Sequence, residues 1–144
     1  METQDSIHLL QECDSGAKMA VSSINGVLDK ISNSSLKSML TESRNHHEEL
    51  GNEIHTLLNS YHSDTKEPNP IAKGMSWMKT NMKMTIENSD AAAADLITDG
   101  CNMGIKSLNE YLNKYKNADG DAKRLCKKLI SIEERLCEDL RGYL

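Results

Sequence analysis

The sequence predicts an all-α protein, a four-helix bundle built as two antiparallel helical hairpins joined by a long connection. Three observations carry this. Apolar residues recur every three to four positions over four separate stretches, the period of a helix with one buried face. Val occurs only twice and Phe not at all, while Lys, Glu, Asn and Ser fill the positions between, a composition unsuited to strands. The chain has 144 residues, enough for one domain and too few for two cores. Leu, Ile, Val and Phe together number only 28, near the level at which chains stay disordered. A net charge of only −5 and the helical recurrence, reinforced by eight Met, nevertheless predict a folded core.

The first stretch, over 3–31, aligns Ile7, Leu10, Ala17, Val21, Ile24, Leu28 and Ile31 on one stripe. Ser32-Asn-Ser-Ser interrupts it and offers N-cap residues for the next helix. The second stretch, over 35–61, aligns Leu36, Leu40, Ser43, His47, Leu50, Ile54, Leu57 and Tyr61. So short a break makes these two helices antiparallel neighbours. The only prolines lie between His62 and Pro70, and Pro70 suits the first position of a helix, where its missing N–H costs nothing. A short Met-rich helix over 70–86 then carries Ile71, Met75, Met78 and Met82 on one face with Trp77 beside it.

Glu87-Asn-Ser-Asp90 ends that helix and caps the next long one, over 90–116, whose stripe runs Ile97, Cys101, Gly104, Leu108, Leu112 and Tyr115. A turn from Asn117 to Asp121 leads to the last helix, over 121–143. That helix carries Leu125, Leu129, Ile132, Leu136, Leu140 and Tyr143, with Cys126, Glu133 and Cys137 on the flank. Helices of about 25 residues are nearly 40 Å long at about 1.5 Å per residue. The middle connection is just long enough to travel that length, which gives a crossover and the ferritin-like arrangement of two hairpins. The hairpins also repeat weakly: Gly16-Ala17 and Ile24 correspond to Gly100-Cys101 and Leu108, and His47 and Leu50 to Cys137 and Leu140.

At this level of detail the chain resembles a family of small, uncharacterised bacterial four-helix proteins with a ferritin-like fold. The resemblance covers nearly the whole length. It lies in Asp14-Ser-Gly-Ala-Lys-Met, Gly74-Met-Ser-Trp77, Asp99-Gly-Cys-Asn-Met-Gly104 and Cys137-Glu-Asp-Leu. It implies a Gly-Glu pair in the first and third helices and a late His in the fourth. Here those positions hold Ala17, Cys101 and Cys137. The family brings no established activity.

Di-iron bundles need a Glu from each of two helices and Glu-x-x-His on the other two, so that both side chains reach one metal pair. Neither the second nor the fourth helix has that motif, and the fourth has no His. A ferroxidase or oxygen-activating enzyme is therefore not expected. A softer site is conceivable, because the stripes direct His47, Cys101 and Cys137 inward with Glu133 one turn away. Two thiolates, an imidazole and a carboxylate suit zinc. Simple packing is the preferred reading, since a free Cys behaves as a small hydrophobe. His46 and His47 point about 100° apart and cannot share a metal, so one is expected buried and the other solvated. No local motif supports a Cys–His nucleophile.

Gly16, Gly100 and Gly104 each cost a helix about 1 kcal/mol relative to Ala, which is expected to be offset by close helix approach. The Met75, Trp77, Met78 and Met82 face is expected to cover core or to form an interface. Lys123, Arg124, Lys127 and Lys128 read as a solvated face.

Net negative charge argues against nucleic acid as a partner. No run approaches the roughly 20 apolar residues that span a bilayer. The acidic start Met1-Glu-Thr-Gln-Asp lacks an apolar core, so no signal peptide and a cytoplasmic location are expected. Cys13, Cys101, Cys126 and Cys137 contain no C-x-x-C and are expected as reduced thiols. The sequence thus predicts a non-catalytic bundle with no cofactor, acting through self-association or an unidentified protein partner. The alternative is a zinc or iron site made by His47, Cys101, Glu133 and Cys137.

Overall fold

The structure, a computed structural model, describes residues 2–61 and 90–144. Helix α1 spans Glu2–Leu28, α2 Ser34–Ser60, α3 Asp90–Lys114 and α4 Gly120–Leu140, followed by a 3-10 turn at Arg141–Tyr143. Among the described residues the fold is all-α, with no strand. The expected short helix over 70–86, with its interface residues Met75, Trp77, Met78 and Met82, lies outside the described residues.

Local chemistry sets the helix ends. Asn33 caps α2, its Oδ1 accepting from the Leu36 N–H at 2.9 Å. Helix α1 stops at Leu28, earlier than the predicted 31. The Lys30 and Ile31 N–H groups turn back to the Val27 and Leu28 carbonyls, and the tightened chain tucks Ile31 into the core. Helix α4 likewise ends at Leu140 and tightens into the 3-10 turn, short of the predicted 143. On α2 it is Leu58, not Leu57, that is fully buried; on α4, Cys126 and Glu133 go inside while Ile132 stays half-covered. Spacings that alternate between three and four residues track the 3.6-residue turn, and those positions fall on it.

The core has two ends, and their membership gives the helix directions. One end gathers Leu9 and Leu10 of α1, Ile54 and Leu58 of α2, Leu108 of α3, and Leu125 and Leu129 of α4. The other gathers Ile24 and Val27, Leu36 and Leu40, Ile97, and Leu136 and Leu140. Helix α1 is therefore antiparallel to α2 and α3, α3 is antiparallel to α4, and α2 and α3 run the same way. Polar contacts fasten both ends. The Asp90 carboxylate at the start of α3 accepts from the Ser32 and Asn33 N–H groups, at 2.8 and 3.0 Å. At the opposite end the Tyr61 hydroxyl donates to Asp119, whose own N–H donates to Ser6 Oγ at 2.7 Å. No described helix is long and apolar enough to cross a membrane.

Candidate functional site

Helix α4 presents Cys126, Glu133 and Cys137 along one side, because steps of seven and four residues return to nearly the same face. Across the antiparallel contact α3 supplies Cys101 and Gly104, three apart and so also on one face. Helix α1 adds Cys13. The result is a thiol–carboxylate layer in which Cys13 meets Cys126 and Cys101 meets Cys137, each pair in side-chain hydrogen-bond contact.

Glu133 lies among them, only 5 % exposed. Gly104 makes its space, since a Cβ there would lie 2.5 Å from Oε2 and 2.9 Å from Oε1 of Glu133. This is the close approach expected of the helix glycines, but it is confined to one of them. A Cβ on Gly16 would make ordinary contact with Leu129, and one on Gly100 would meet nothing. Burial first, then the nearby Cys137 and Cys126 sulfurs, push the Glu133 carboxyl up to about 8, so it holds its proton at neutral pH. Its Oε2 has no hydrogen-bond partner among the described residues.

The two thiols of the outer pair differ. Cys101 is 6 % exposed, and its S–H, which donates toward Cys137, is pushed far up by that bond and by burial. Cys137 is half-buried and lies beside the Asn102 amide, with Sγ 3.6 Å from Oδ1. The hydrogen bond from Cys101, helped by the Arg141 charge, brings the Cys137 thiol down to about 7. Cys13 and Cys126 are both fully buried, and Cys126 also donates to the Leu108 carbonyl at 3.8 Å. That inner pair has no route to solvent.

His47 is fully buried and His46 exposed, the split expected of adjacent helix positions. The His47 ring does not join the thiols. Its Nδ1 lies 2.8 Å from the Ser43 carbonyl, which fixes the Nδ1–H tautomer, and Nε2 is buried with no partner among the described residues. Burial lowers its pKa below the usual 6.5. Of the four predicted ligands, then, Cys101 and Cys137 pair, Glu133 lies one turn away on the same side of the last helix, and His47 stays with its own helix. Among the described residues no three His, Cys, Asp or Glu side chains converge closely enough to hold a metal ion.

The chain was compared with protein-family models, with curated proteins and with solved structures. Nothing matches. The site's own chemistry must therefore carry the functional reading. Sequence reasoning missed Cys13 as the partner of Cys126 and Gly104 as the space for Glu133. The spacing that pairs Cys126 with Glu133, seven residues on one face, was the available signal.

A separate groove of about 250 Å³ runs between α2 and α4, lined by Glu42, His46, Lys128, Arg135 and Asp139. It lies on the outer side, with charges of both signs.

Proposed function

We propose that the chain works through its outer thiol pair, with Cys101 and Cys137 passing reversibly between dithiol and disulfide. The observation that carries this is the pairing itself. Two cysteines on adjacent antiparallel helices meet side by side, one sealed in the core and the other reaching solvent. A small disulfide of the glutathione type is a sufficient oxidant: two protein thiols and one such disulfide give the protein disulfide and two small thiols. Self-association has less support from the described surface, where the exposed large apolar side chains are Met103 and Leu144.

The same reading takes the bundle as ferritin-like. Helices α2 and α3 run the same way, so residues 62–89 connect opposite ends, which favours a long crossover over an up-down connection. The resemblance to the ferritin-like family then becomes a statement about what replaced its carboxylates and His: Ala17, Cys101 and Cys137. A cytoplasmic setting goes with this, since its thiol pool would keep the pair reduced until challenged.

The test is a redox titration with glutathione couples, followed by thiol counting and peptide mapping. Four free thiols should fall to two, with the link mapped to Cys101 and Cys137. Four persistent thiols, or a link between Cys13 and Cys126 instead, would overturn the proposal.

A further inference from the structure

Resting on that dithiol reading, we infer that the pair is a site for small hydroperoxides, with Cys137 the sulfur that attacks the peroxide and Cys101 the sulfur that resolves the product. The geometry divides the labour. Cys137 is the member of the pair that solvent reaches, so it is the sulfur a small peroxide meets. Beside it the Asn102 side-chain carbonyl accepts from the Cys137 S–H at 3.6 Å, and the charge of Arg141, one helical turn farther along, favours the thiolate. Cys101 lies behind it, sealed from the peroxide and already in contact with the sulfur it would attack. An accessible thiolate in front of a buried second thiol is the arrangement redox-responsive cysteines need.

The steps balance. The Cys137 thiolate attacks the distal peroxide oxygen, the O–O bond breaks, and sulfur leaves as sulfenic acid while the alkoxide takes a proton from solvent and departs as alcohol. Sulfur is oxidised by two electrons and the peroxide reduced by two. Cys101 then loses its proton and attacks the Cys137 sulfur. An S–S bond forms, the S–O bond breaks, and the hydroxide leaves with one proton as water. Glu133, buried where Gly104 leaves room for its carboxyl, holds a proton at neutral pH that it gives to the leaving hydroxide while taking up the one Cys101 releases. The groups acting on Cys137 are Cys101 from α3, Glu133 and Glu134 from α4, and Arg141 from the turn beyond it.

The size of the expected effect follows from the thiolate. At pH 7 a thiol brought down to about 7 is about half ionised, against about 1 % for one at about 9. Its lower basicity gives back part of that gain, about eight-fold over two units, leaving reaction about six-fold faster than an ordinary cysteine.

The experiment treats Cys101→Ser protein with hydrogen peroxide in the presence of dimedone and maps the adduct. A single sulfenate adduct on Cys137 is expected, formed about six-fold faster at pH 7 than in the urea-unfolded chain. Its rate should level off above about pH 7, whereas the unfolded chain continues to gain rate to higher pH. Wild-type protein under the same treatment should give the Cys101–Cys137 disulfide and no adduct, and Cys137→Ser should give neither. An adduct on Cys101 in Cys137→Ser with none on Cys137 in Cys101→Ser would overturn the assignment, as would a rate no faster than the unfolded chain. If glutathione disulfide closes the pair but peroxide leaves Cys137 untouched, the hydroperoxide inference fails and the dithiol reading stands. If neither closes it, both fall.

Discussion

Gly104 and Glu133 share one volume: a methyl group on the first would lie 2.5 Å from a carboxylate oxygen of the second. Gly104→Ala sets two effects against each other. Helix propensity favours Ala by about 1 kcal/mol. Displacing the buried Glu133 carboxyl costs about 1–3 kcal/mol, as overpacking does. The variant should be net destabilised by about 1 kcal/mol in urea unfolding. In a Glu133→Ala background the obstacle is gone and the same change should stabilise, by about 1 kcal/mol. A Gly104→Ala effect of the same sign in both backgrounds would show that the two residues do not compete for space.

Glu133 also gives stability a pH dependence. Its folded pKa, about 8, exceeds the unfolded value near 4.5, so between these the folded chain holds a proton that the unfolded chain has released. This contribution is fully present below about pH 4.5 and is lost as pH rises through about 8. Glu133→Gln keeps the shape and removes the titration. Measured by urea unfolding from pH 5 to 8, the stability of wild type relative to the variant should fall with rising pH, by a total on the order of a few kcal/mol. A constant difference would show that the carboxyl is not held protonated in the core.

His47 works in the opposite sense. Burial lowers its pKa, so the unfolded chain takes up a proton below about pH 6.5 that the folded chain refuses. Acid therefore erodes stability through this residue. His47→Leu removes the bare Nε2 together with the titration, at the loss of one bond to the Ser43 carbonyl. At pH 8 the variant should lie within about 1 kcal/mol of wild type. At pH 5 it should be the more stable of the two, by thermal or urea unfolding.

The apolar frame was legible in the sequence because Leu36, Leu40, Leu50, Ile54, Leu125 and Leu129 are hydrophobic and fall on one period. The polar interior was less so. Asp14 and Ser15 are buried on α1, yet nothing in their residue types marks them as inward. Periodicity gave the face of His47, Cys101 and Glu133 but not their height along the bundle. Height depends on how the helices slide against one another, which side-chain packing sets. That sliding is why Cys101 meets Cys137 while His47 bonds its own helix. The Gly104 space was hidden for the same reason, since it exists only opposite Glu133.

The helix directions can be tested at the two fastened ends. Asp90 holds the turn between α1 and α2 through two backbone N–H groups, and as the first residue of α3 it also sits where a negative charge favours the helix. Asp90→Ala loses both bonds and should cost about 1–2 kcal/mol, with Asp90→Asn falling between. Tyr61→Phe removes the hydroxyl that donates to Asp119 and should cost about 1 kcal/mol. If α2 and α3 run the same way, these contacts lie at opposite ends and share no partner. The double variant should then be additive to within about 0.5 kcal/mol in urea unfolding. An up-down connection would instead bring Tyr61 and Asp90 to the same end, where the effects would couple. Clear non-additivity would therefore count against the parallel course of α2 and α3, and with it against the crossover.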